Sequence, residues 1–166
     1  FFNSASTMLT IKGYIMAKNF IFVALLILTG FMTQPVIAME FTKEEIEAVR
    51  KDAENGDPES QYYLGYIYRE GHSVDQDYGQ AVKWFREAAD RGNAKAQKNL
   101  GSMYATGRGV PQDHDKAVKL YRKAAEKGNA VAQNLIGLMY MESIGVTHDD
   151  TEALKWFRKA AEQGYA

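Results

Sequence analysis

The sequence predicts an all-α chain in which helical hairpins stack side by side into a solenoid. Three observations predict it. The stretch Asn93 to Gly128 recurs 36 residues earlier and 36 residues later, and a fixed period between about 20 and 50 residues marks a repeat array. Each copy carries two apolar stripes at three- and four-residue spacing, as two amphipathic helices require. A glycine-containing turn separates the stripes and another glycine closes each copy.

The first 38 residues have a different grammar. Met8 and Met16 are both available as starts. Met16-Ala17-Lys18-Asn19 makes a short basic region, Phe20 to Leu28 is an unbroken apolar run, and Val36-Ile37-Ala38 ends in small residues. That order predicts a secretory signal peptide over residues 1–38, cleaved after Ala38, and a periplasmic or secreted protein. The competing reading is an uncleaved membrane anchor through residues 19–38, because no charge falls between Lys18 and Glu40. An intact leader is expected to be a helix with no partner in the fold.

Residues 39–56 predict a lead-in helix. Thr42-Lys43-Glu44-Glu45 is a capping box, and Phe41 with Ile46 can form the hydrophobic staple. Ile46, Val49 and Ala53 form the buried stripe, while charged residues cover the rest. A polar terminal unit is what an array needs to cover its first apolar surface, so this helix is read as the N-terminal cap.

Three repeats follow, at 57–92, 93–128 and 129–164. In the middle copy Ala96, Leu100, Met103 and Tyr104 share one face of a first helix capped by Asn93. Ala117, Leu120, Tyr121, Ala124 and Ala125 share one face of a second, with Asp113 as its N-cap. Asp77…Gln80 and Asp149…Glu152 have capping-box form. Gly107 and Gly109 permit positive φ in the turn, and Pro111 stops the helix. Gly65, Gly101 and Gly137 sit inside first helices, where glycine costs about 0.5–1 kcal/mol. The expected return is close approach of the paired helix, with Ala124-Ala125 as the matching small surface.

At these residues the chain resembles the Sel-one-like repeat family, relatives of the tetratricopeptide repeats. Ala94, Ala96, Gln97, Leu100, Gly101, Tyr104, Gly107, Gly109, Val110, Asp113, Ala117, Ala124, Ala125 and Gly128 match its pattern. Its aromatic position holds Trp84 and Trp156 in the outer copies but Leu120 in the middle one. The first copy loses the second loop glycine at Ser73, and the third loses the first at Ser143, so those turns are expected to differ in geometry. The resemblance implies a right-handed tetratricopeptide-like solenoid that serves as a protein-binding adaptor.

Composition narrows the function. Without Lys12 and Lys18 the chain from Met39 on has 18 bases against 21 acids, which gives no electrostatic reason to expect nucleic acid or an anionic membrane surface. With no cysteine there is no disulfide, thiolate metal site or thiol nucleophile. His72, His114 and His148 occupy different phases of the repeat, and no nucleophile has a base at a recognisable spacing. No catalytic residue, metal site or cofactor is expected. First helices should line the concave side, where Tyr62, Tyr66, Arg69, Lys98, Asn134, Leu138 and Met141 are free to meet a partner. Tyr and Arg are favoured interface anchors; packing within the fold is the other reading of the two tyrosines. The expected function is a non-catalytic protein-binding scaffold of the cell envelope. An envelope hydrolase with an unrecognised site, and self-association through the C-terminal end near Trp156 and Phe157, are the alternatives.

Overall fold

The structure is a computed structural model, and it describes residues 10–14 and 41–165. Seven helices follow one another from residue 43: α1 Lys43–Glu54, α2 Pro58–Glu70, α3 Tyr78–Asp90, α4 Ala94–Thr106, α5 His114–Glu126, α6 Ala130–Glu142 and α7 Asp150–Ala161. Each packs on its neighbours in sequence, so α2–α3, α4–α5 and α6–α7 are hairpins stacked in a row, with α1 against α2. No helix among the described residues is long and apolar enough to cross a membrane.

The caps explain where the helices start. Thr42 Oγ1 accepts from Glu45 N, and Glu45 returns the bond to Thr42 N, a complete capping box. Asp57, Asp77, Asn93, Asp113, Asn129 and Asp149 each accept from the N–H three residues on. At α7 the reciprocal half of the expected box is replaced: Glu152 turns to Lys155 at 2.7 Å.

The turns keep one geometry despite their sequence differences, which corrects the expectation above. First helices end in a left-handed residue at φ 74° (Gly71), 71° (Gly107) and 57° (Ser143). Ser73, at φ 59°, takes the place that Gly109 and Gly145 hold in the other copies. Serine therefore adopts the glycine conformation rather than reshaping the turn, at a cost of roughly 1–2 kcal/mol.

The buried helix glycines also find a different partner from the one expected. A Cβ on Gly65, Gly101 or Gly137 would lie 2.7 Å from Phe85, 2.8 Å from Tyr121 or 2.7 Å from Phe157, respectively. An aromatic ring of the second helix lies against each glycine, rather than the alanine pair. Ala124 and Ala125 are buried nearby.

Two ladders tie each repeat to the unit before it. Gln61, Gln97 and Gln133 donate Nε2 to the carbonyls of Ala53, Ala89 and Ala125, all at 3.1 Å. Arg50, Arg86 and Arg122 donate to the hydroxyls of Tyr68, Tyr104 and Tyr140 at 2.9, 3.2 and 2.6 Å. α1 supplies both partners to the first repeat, as a terminal unit should, and buries Ile46, Val49 and Ala53. Phe41 is buried and its N–H donates to Ser73 Oγ at 2.9 Å.

Residues 10–14 do have a partner in the fold, against expectation. Ile11 is fully buried, and the Tyr14 hydroxyl donates to Asp57 Oδ2 at 2.6 Å while its ring lies 5.0 Å from Tyr63. The carboxylate that caps α2 has an acceptor site to spare for that hydroxyl. The apolar run from Phe20 and the cleavage site at Ala38 lie outside the described residues.

Candidate partner-binding face

The first-helix face is built by α2, α4 and α6. On α2, Tyr62 and Tyr66 are buried, at 7% and 5% exposure. Tyr62 packs against Tyr63 and Phe85, with ring centroids 5.2 and 6.1 Å away, and Tyr66 lies 5.9 Å from His72. Of the two roles open to these tyrosines, packing is the one the geometry supports, and it is packing within their own repeat. Burial pushes the Tyr62 hydroxyl up to about 12, opposed by the charge of Arg69.

Arg69 and Lys98 come together across the first repeat junction. The Arg69 guanidinium lies 4.8 Å from the Tyr66 ring centre, and its Nε pairs with Glu70 at 2.6 Å. Its Nη1 donates to Asn99 Oδ1 at 3.1 Å, and Lys98 Nζ donates to the same oxygen. Two cations thus converge on one amide acceptor. Burial brings Lys98 down to about 8; the charge of Arg69 adds to the fall and Glu70 opposes it. Among the described residues no carboxylate lies within ion-pair distance of Lys98. Beside the pair a cleft of about 200 Å³ is lined by residues including Arg69, Glu70, Asn99, Ser102 and Arg108.

Asn134 and Leu138 are half-buried on α6, and Met141 is 42% exposed. An amide and two apolar side chains thus follow one another along α6, away from the Arg69–Lys98 pair on α2 and α4. Asn99 is the residue that sequence reasoning missed. It is 2% exposed and organises both cations. Its phase holds Tyr63 and Leu135 in the other copies, so a lone amide among bulky side chains was the available signal.

The histidines are not gathered. His72 lies at the edge of the Phe41 ring, His114 opens α5, and His148 contacts the Met141 carbonyl and Asp150. Among the described residues no group of three His, Asp or Glu side chains could hold a metal ion.

An array of stacked helical hairpins defines a solenoid repeat protein. Comparison makes the class specific. The Sel1 repeat profile matches residues 58–93, 94–129 and 130–165, and the chain belongs to that family. Its members are generally protein-interaction scaffolds. No curated protein matches the chain. Among solved structures it is similar to a Sel1 repeat protein from Oxalobacter formigenes, at 38% identity and TM-score 0.70, over 74% of this chain and 49% of that one. It is similar to a protective antigen with an SLR fold present in uropathogenic Escherichia coli strains, at 47% identity and TM-score 0.70, over 72% of this chain and 26% of that one. The chain therefore spans half or less of the length of these two relatives. Helicobacter pylori cysteine rich protein B shares the fold, at 18% identity and TM-score 0.61, over 75% of this chain and 92% of that one.

Proposed function

We propose that the chain is a non-catalytic scaffold of the cell envelope that binds another protein on its first-helix face, at an acidic group of the partner. The observation that carries this is the Arg69–Lys98 pair. Two half-buried cations share one neutral acceptor, Asn99, which with Arg69 lines an open cleft, and Glu70 pairs with Arg69 alone. A carboxylate entering there would meet charge-assisted donors, which are about twice as strong as neutral ones. The non-catalytic part draws on the general use of the family as scaffolds. The envelope part draws on the basic, apolar and small-residue order of Met16 to Ala38.

A photo-crosslinking residue at Ser102, in the cleft, should trap a protein partner, while the same residue at Lys83, on a second helix, should not. Equal trapping at both positions would remove the first-helix face from the function. Cell fractionation with N-terminal sequencing of the mature protein tests the location. A product beginning at Met39 in the envelope fraction is expected, and a cytoplasmic protein retaining the leader would refute it.

A further inference from the structure

On the second-helix side, the seam between α3 and α5 differs from the other two seams in charge and in shape. A cleft of about 250 Å³ there is lined by Leu100, Tyr104 and Leu120, by the cations Arg86, Lys116, Lys119 and Lys123, and by one acid, Asp90. Leu100 is buried and Tyr104 and Leu120 are half-buried, whereas the charged residues are exposed, so an apolar floor lies within a basic rim. Both features come from departures of the middle copy. The phase of Leu120 holds Trp84 and Trp156 in the outer copies, at 5% and 6% exposure. The phase of Lys116 holds Gln80 and Glu152, and that of Lys123 holds Glu87 and Lys159. By phase, the seam between α1 and α3 is balanced, with Arg50 and Lys83 against Glu54 and Glu87. The seam between α5 and α7 sets Arg122, Lys155 and Lys159 against Glu126 and Glu152. Only between α3 and α5 do four bases face a single acid.

Tyr104 places two of the cations. Arg86 Nη2 donates to its hydroxyl at 3.2 Å, and Lys116 Nζ lies 5.3 Å from its ring centre while pairing with Asp113 at 2.9 Å. Lys119 and Lys123 make no hydrogen bond or ion pair among the described residues. Their counterparts in the outer copies lie against indoles: Lys83 Nζ is 4.7 Å from the centre of the Trp84 ring, and Lys159 Nζ is 4.6 Å from that of Trp156. Leu120 offers no ring to either lysine. The missing indole thus uncovers the floor and leaves two cations unengaged. The volume is below the range of about 300–1,000 Å³ usual for small-ligand sites, so it suits one side chain of a longer segment. A nucleic-acid backbone or an anionic membrane would have no use for an apolar floor, and Asp90 in the lining would repel either.

We infer that this cleft docks an acidic segment of a partner protein through one aliphatic side chain, which seats on Leu100 and Leu120 while flanking carboxylates meet Arg86, Lys116, Lys119 and Lys123. The site lies on the other helix set from the Arg69–Lys98 pair and does not rest on that pair.

The test uses the full chain and a short synthetic peptide of Asp and Glu around a central Leu, followed by NMR. Saturable shifts are expected at Lys119, Leu120 and Lys123, with affinity falling as salt rises. Replacing the peptide's Leu by Ser should weaken binding about fivefold, since the apolar contact is lost. Lys116→Gln with Lys123→Glu gives this seam the residues of the first copy, and it should weaken binding about tenfold through lost and reversed charge. Leu120→Trp should cover the floor and weaken binding with native circular dichroism; the charge variant provides the reading if that one misfolds. Absence of saturable shifts in the wild type, equal binding by the folded variants, or equal binding of the Ser peptide would overturn the inference. A single-stranded oligonucleotide or phosphatidylglycerol vesicles that shift the same residues more strongly than the peptide would assign the patch to a polyanion and overturn it too. A dimer seen by sedimentation in the wild type and lost in the charge variant would assign the cleft to a second copy, against the partner reading.

Discussion

Gly101 shows how little room separates the two helices of a repeat. With Tyr121 2.8 Å from where its Cβ would stand, Gly101→Leu must displace a ring whose hydroxyl is held by Ser102 at 3.0 Å. We expect a loss of about 1–3 kcal/mol, typical of overpacking, seen as a lower melting temperature; an unchanged one would refute the contact. The opposite change is available at Ser143, whose φ of 57° belongs to glycine. Ser143→Gly should stabilise by about 1 kcal/mol, since it removes the left-handed penalty, and urea titration would show it. Lys98 carries a pH signature. Its folded pKa is lowered to about 8, so the folded state releases this proton before the unfolded state does. The resulting destabilisation is fully present below pH about 8 and is lost as pH rises towards the ordinary lysine value near 10.4. Lys98→Met should therefore be more stable than wild type at pH 7, with the difference shrinking as pH approaches 10. A constant difference would remove the buried-cation account.

At the scale of the element, the caps, the turns and both helix faces were legible because each is local. An Asp or Asn three residues before a helical N–H needs no tertiary information. What the turn sequence hid was that serine would take a glycine conformation, because the stacked helices on either side impose the turn. The glycine contact was legible as a need for space but not in its partner. Phe85, Tyr121 and Phe157 share one phase, yet only packing shows that the rings, rather than the alanines, lie over the glycines. Between elements, the glutamine ladder is the testable part. Gln97→Met keeps the volume and removes the bond to the Ala89 carbonyl, so it should cost about 1 kcal/mol, the usual net value of one hydrogen bond. A denaturation midpoint equal to wild type would show that the glutamine bond adds nothing net to the joining of the repeats.

Across the whole molecule, the period of 36 residues was enough to read the solenoid, because each repeat contacts only its neighbours and the same physics recurs in every copy. The binding face was less legible, because it consists of the positions the repeat leaves unconstrained. Tyr62 and Tyr66 resembled anchors from spacing alone, but Phe85 and His72 take up their rings. Arg69 and Lys98 proved to be neighbours only once α2 and α4 were set side by side, with Asn99 between them. The central claim, that this cationic pair receives a partner protein, is tested most directly by the affinity of a captured partner for wild type and for Arg69→Met with Lys98→Met. Methionine keeps the apolar stems and removes both charges. The account predicts at least a tenfold rise in Kd, about 1.4 kcal/mol, with native circular dichroism, and weaker wild-type binding as pH rises through 8. An unchanged Kd in the folded double variant would contradict it.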